Sequence, residues 1–362
     1  MKSILLASAS VVALAGAAAA EVEYGGWATL GYNDVEVGGT YWDAGLSVTL
    51  SQTLDNGLTA GASFSVTVFS DTIGSETHAN WTGLELSLTS DNAGLYFGDT
   101  DTAAGVHWSA GSALDGAQGD AAGDTDFDTD TGDAVLRGEM TFGGVATAIS
   151  YVTSGGSDLT ELQVSAAMDL GGASVSVAYQ DADHDGSDDT IDGQAMGLSV
   201  ATSMGGADVN FGILQTDDNT ATGVGISYPA GAVTLGAYFT SNSDYDDAWG
   251  VSADYDAGNG MTLGMTYDSD EYWEVTMGYA AGAVTVDAAF DSDDAWSLDM
   301  TYDMGNGLML GAGTSDSNEN YAMASYDLGG GASVLVSYAD ADEIDPDEDL
   351  QAGTTVELSF SF

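Results

Sequence analysis

The chain has 362 residues, with 58 Asp and Glu against 2 Lys and Arg, for a formal net charge of −56 and no cysteine. That acid excess excludes nucleic acid as a partner, because nothing in the chain can neutralise phosphates, and the missing thiols exclude a disulfide framework or a thiolate metal site. Such acidity usually accompanies disorder, but 44% of the residues are hydrophobic and the aromatics are spread evenly, so the chain is expected to fold.

The first twenty residues, "MKSILLASASVVALAGAAAA", carry one Lys, a short apolar run and a small-residue tract ending Ala18-Ala19-Ala20. This is the layout of a secretory signal peptide with an A-x-A cleavage site, too short for a membrane span. Cleavage after Ala20 leaves one domain over residues 21–362, although length alone would allow two or three. No later stretch approaches 18 consecutive apolar residues, so transmembrane helices are excluded.

From there the chain is punctuated by ten tight-turn signals. They begin with "LDNGL" at 54, "DNAGL" at 91 and "FGGV" at 142, and end with "YDMGNGL" at 302 and "YDLGGGA" at 326. Gly, Asn and Asp supply the positive φ that hairpin turns require. The segments between turns alternate with period two. "WEVTMGY" puts Trp273, Val275, Met277 and Tyr279 on one face, opposite Glu274, Thr276 and Gly278. "WSLDMTY" and the closing "TVELSFSF" repeat the pattern, which marks strands with one apolar face.

One long interruption runs from Asp99 to Asp133. A structureless stretch of this length inside a compact fold is usually functional; Asp99, Asp101, Asp115 and Asp120 are acids that an external loop would leave in solvent and that a loop folded inward, as the family resemblance given below implies, would bring to a constriction. The strand that follows alternates Leu136, Met140 and Phe142 with Arg137, Glu139 and Thr141. Arg137 is the only Lys or Arg after Lys2. Facing lipid it would cost about 2–4 kcal/mol near the midplane, so it is assigned, with Glu139, to the lumen. Two roles are open for it: a planar fork anchoring the loop through its carboxylates, or a wall salt bridge to Glu139 alone.

Further along, "DADHDGSDDTID" places Asp181, Asp183 and Asp185 at alternate positions before Gly186, with Asp189 and Asp192 later. This resembles a calcium loop, but strands flank it and Asp stands where an EF-hand has Glu. No cofactor is required; Ca²⁺ or Mg²⁺ held by acidic loops is the one ion association the composition invites. His78, His107 and His184 are scattered without partners and receive no role.

In the second half, Tyr228, Tyr255, Tyr279, Tyr302 and Tyr326 each precede a tight turn, while Trp249, Trp273, Trp296 and Tyr321 begin the strands at the far end. Two belts of rings with aliphatics between them suit a membrane barrel, where rings settle at both interfaces. Ten hairpin turns plus an opening strand near 22–33 and a closing one at 350–362 give 22 strands. The expected fold is therefore an all-β antiparallel transmembrane barrel of even strand number. Alternation puts Glu85, Glu161, Asp254, Glu274, Asp287, Asp299 and Glu357 on the lumen side, and carboxylate rings favour cations.

The start "EVEYGGWATLGYND", the hairpin "TLDNGLTAGASF", "LELSLTSDNAGLYFGDT" leading into the long loop, and the ending "SYDLGGGASVLVSYADAD…LSFSF" resemble the alphaproteobacterial general porins of the purple-bacterial type. The resemblance implies an outer-membrane diffusion channel for small hydrophilic solutes. It also implies a homotrimer, association with lipopolysaccharide through divalent cations, and a long loop folded inward. It implies 16 strands rather than 22, and a cluster of Arg and Lys across the constriction that this chain reduces to Arg137. No catalytic motif is present, so an enzyme is not expected. The rival from another class is a secreted, calcium-dependent acidic adhesin or surface-layer protein.

Overall fold

The computed structural model describes residues 20–35, 39–72, 75–108, 127, 134–154, 158–182, 193–217, 219–243, 246–316, 319–340 and 350–362. Residues 1–19, which hold most of the expected signal peptide, fall outside this set.

Strands β1 (Glu21–Asn33), β2 (Thr40–Thr53), β3 (Thr59–Thr72), β4 (Ser75–Thr89) and β5 (Ala93–Gly98) precede a short helix, α1 (Ala103–His107). There follow β6 (Ala134–Phe142), β7 (Val145–Ser154), β8 (Asp158–Leu170), β9 (Ala173–Ala182), β10 (Gly193–Met204) and β11 (Ala207–Thr216). Next come β12 (Thr220–Ala230), β13 (Val233–Asn242), β14 (Ala248–Asp256), β15 (Met261–Asp268), β16 (Trp273–Ala281) and β17 (Val284–Asp291). The series ends with β18 (Trp296–Asp303), β19 (Leu308–Ser315), β20 (Asn320–Gly329), β21 (Ala332–Ala339) and β22 (Gly353–Ser361).

Each strand pairs antiparallel with the next, and β22 pairs with β1, so the 22-stranded sheet closes on itself. The strand number is the one the turns give, not the 16 that the resemblance implies. At the seam Leu30 opposes Leu358, and the last residue is tied in by Gly26 N–H to Phe362 O at 2.6 Å and Phe362 N–H to Gly26 O at 2.9 Å. Closure satisfies the backbone groups that an open edge would leave bare in a membrane.

The tight turns gather at one end. Asp and Asn make them cheaply by accepting from the backbone two residues on, as in Gly258 N–H to Asp256 Oδ1 (2.7 Å) and Gly305 N–H to Asp303 Oδ1 (2.8 Å). The inward loop leaves from the opposite end, after β5.

The two faces of the wall differ as alternation requires. Leu86, Met140, Ile149, Val224, Met265 and Val336 are exposed on the outside. Cross-strand rings thicken the outer belt at the loop end: Trp249 on Tyr267 at 5.8 Å between centroids and Trp273 on Phe290 at 5.5 Å. The tightest apolar packing lies inside, where Ala104 and Phe127 meet Ala178, Ala195 and Leu214 of the wall, with Trp108 against them. A segment of the loop is therefore folded into the barrel and held there.

Candidate channel constriction

The loop docks because the wall offers it both room and partners. Room comes from small lumen-side residues on β9 to β12: Ala178, Ala195, Gly197 and Ala221. A Cβ on Gly197 would lie 2.4 Å from the Trp108 ring, so only glycine admits that ring. Trp108 is braced edge-on by Phe127, with centroids 5.4 Å apart.

The partners answer a specific need. The first N–H groups of any helix lack acceptors within the helix. Here Thr102 accepts from Gly105 N–H at 3.3 Å, and the barrel wall supplies the rest. Ser150 Oγ accepts from Ala103 N–H and Gln163 Oε1 from Ala104 N–H, each at 2.8 Å. The Gln163 amide donates in turn to Glu161 and, at 3.2 Å, to Gln180. Ser165 donates to Ala103 O, which leaves its oxygen to accept from His107 Nδ1–H at 2.8 Å. Ala103, Ala104, Ser150, Gln163 and Gln180 are all fully buried. His107 therefore has a role after all, as the second clamp on α1. Burial lowers its imidazole pKa below the ordinary value, since charging it there forfeits water.

Arg137 completes the cradle. It is 5% exposed and lies in register with Tyr96 across β5 and β6. Its guanidinium carbon sits 4.6 Å from the centre of the Tyr96 ring, Nε donates to Glu139 Oε1 at 2.7 Å, and an Nη donates to the Asp101 carbonyl oxygen. The wall salt bridge to Glu139 is made, and among the described residues it is the one ion pair. Among the described residues the loop meets Arg137 through the Asp101 backbone carbonyl. Asp99 is occupied elsewhere, accepting from Gly83 N–H at 2.9 Å beside β4, and Asp101 contributes its backbone while its side chain is exposed. Asp115 and Asp120 lie outside the described residues, as do Asp183, Asp185, Asp189 and Asp192 of the calcium-like stretch; Asp181 is exposed at the end of β9. Among the described residues no group of three or more His, Cys, Asp or Glu is placed to hold a metal ion.

Glu85, Glu161, Asp254, Glu274, Asp287, Asp299 and Glu357 sit on the face opposite the exposed apolar residues of their strands. Some are tethered: Tyr41 donates to Glu357 at 2.7 Å and Tyr321 to Asp299 at 3.0 Å. Asp287 stands directly opposite Asp299, and Glu274 opposite Asp291, with no cation of the chain between them. Such a file of like charges is unfavourable in the sheet itself.

A closed antiparallel barrel with an apolar exterior, an acidic lumen and a loop pinned inside it defines a β-barrel membrane channel. The chain matches the family model of the Gram-negative porins over residues 7–346 and belongs to that family. It is an outer-membrane porin, a channel protein and not an enzyme. Among solved structures it is similar to two mutants of Rh. blastica porin, at 15% and 14% identity with TM-scores of 0.46 and 0.45. A triple mutant of Rhodopseudomonas blastica porin is similar at 14% identity with a TM-score of 0.45. Each comparison covers 94% of this chain and 100% of the other. A comparison with curated proteins returned no match.

Proposed function

We propose that this porin is a passive, water-filled, cation-preferring channel for small hydrophilic solutes, exported by its signal peptide. The observation that carries the reading is the charge balance of the lumen. Its one guanidinium is buried and already paired with Glu139, while Glu85, Asp254, Glu274, Asp287, Asp299 and Glu357 stand on the lumen face unopposed by any basic side chain. Fixed carboxylates concentrate cations and repel anions in a pore. The docked loop narrows the passage on the side of β7 to β12, so permeating ions travel along the acidic wall of β14 to β18. Homotrimer formation, and bridging to lipopolysaccharide through divalent cations at outer-rim acids such as Asp270, Glu271, Asp293 and Asp294, belong to the same proposal.

The test is the zero-current potential of the refolded protein in a planar bilayer under a KCl gradient. A large potential of the sign for K⁺ over Cl⁻ is expected. A potential near zero, or one favouring Cl⁻, would overturn the cation preference; folded protein without conductance would overturn the channel.

A further inference from the structure

The Arg137 site shows that this wall can hold a cation between a tyrosine ring and a carboxylate, and tyrosines stand beside carboxylates again on β13 to β16, where the chain has no basic residue. At Arg137 the parts are a tyrosine face and a carboxylate. Tyr96 lies over Gly94, whose Cβ position is 2.5 Å from the ring, and its centroid is 4.6 Å from the guanidinium carbon while Glu139 takes Nε. Tyr238 instead lies across the strands, over its partner Gly250, 2.2 Å from the Cβ position. Tyr238, Gly250 and Asp268 stand in one row across β13, β14 and β15. The ring is thus laid toward Asp268.

This row opens into a lumen-side cavity of about 770 Å³. Tyr272, from the hairpin between β15 and β16, contributes a second ring, and Asp254, Glu274 and Asp208 continue the wall toward the tight-turn end. Thr266 stands between Ser252 and Glu274 in the next row, so hydroxyls are interleaved with the acids.

We propose that this groove is a binding site for organic cations, solutes carrying an alkyl-ammonium or guanidinium group, which it selects from the inorganic ions passing through. The proposal deepens the cation-preferring reading and rests on it. Carboxylates attract every cation, but a tyrosine face rewards those that shed water readily and carry apolar surface. A strongly hydrated metal ion gains little from such a face, and no metal-like cluster exists among the described residues. Two rings beside four carboxylates therefore favour a guanidinium or an alkyl-ammonium, the group the wall already holds at Arg137.

The experiment measures K⁺ current through the reconstituted channel while n-butylguanidinium chloride is added on the loop side, with 1-butanol as the neutral control. Saturable reduction of the current by butylguanidinium, and none by butanol, is expected. The double variant Tyr238→Leu with Tyr272→Leu should weaken the apparent affinity about tenfold, since the rings are lost and every charge remains. Its zero-current potential in KCl should match the wild type. Tyr238→Phe, which keeps the ring, should block like the wild type and guards against a folding defect in the double variant. Equal block in the ring-less and wild-type channels, block by butanol, or no saturable block in a channel that is cation-selective would each overturn the site. Loss of cation selectivity in the wild type appears in the zero-current potential instead, and so is told apart.

Discussion

Among the described residues Arg137 serves three partners at once: the Tyr96 ring, the Glu139 carboxylate and the Asp101 carbonyl. Lysine cannot copy this, because its ammonium is a single point and lacks the planar fork. Arg137→Lys is expected to keep the pairing with Glu139 and lose the bond to the loop. Arg137→Ala loses both and leaves Glu139 uncompensated, at a cost on the order of 2 kcal/mol to loop docking. Both variants should conduct with more current noise than the wild type, Ala more than Lys; noise unchanged in both would show that the loop does not depend on this residue. Much of the arrangement is legible in the sequence. Alternation with Leu136 and Met140 turns Arg137 inward, and rarity singles it out. Its acceptor is not legible, because every residue carries a carbonyl and only the docked loop decides which one arrives.

At the scale of the element, α1 is five residues long, too short to persist alone. Its N–H groups are satisfied by Ser150 and Gln163, and His107 is clasped by Ser165. None of these wall residues stands out in the sequence, because a lone Ser or Gln on a polar strand face reads like any other lumen residue. His107 reads as partnerless for the same reason: its partner is 58 positions away. The clasp should nevertheless respond to pH. The imidazole is held below its ordinary value in the docked state, so the released loop binds the proton more tightly. Docking is then fully stable above the ordinary histidine value and weakens as pH falls below it toward the depressed one. Single-channel flicker should rise between pH 7 and about pH 5, and His107→Asn should flatten that rise. A pH profile identical in the two proteins would remove His107 from the clamp.

At the scale of the molecule, the barrel's stability depends on its surroundings. A formal charge of −56 on the whole chain, with Asp287 facing Asp299 and Glu274 facing Asp291 in the sheet, sets the folded state against itself. Mobile cations screen such repulsion over about 10 Å at 0.1 M salt. The melting temperature in detergent should therefore climb between low salt and high salt with Mg²⁺; a flat response would mean that the strands tolerate their charge unaided. The overall architecture is the most legible part of this protein. Turn residues and two-residue alternation are local signals repeated along the chain, so they give the strand number where resemblance to a family does not.

The bond between Gly26 and Phe362 has a further consequence, in time and not in space. The first strand made cannot find its second neighbour until the last residue has been delivered. Until then Trp27 to Asn33 present a bare, adhesive border to every other unfinished copy nearby. An unclosed sheet has two such borders, on β1 and on β22, and both vanish together when these strands pair.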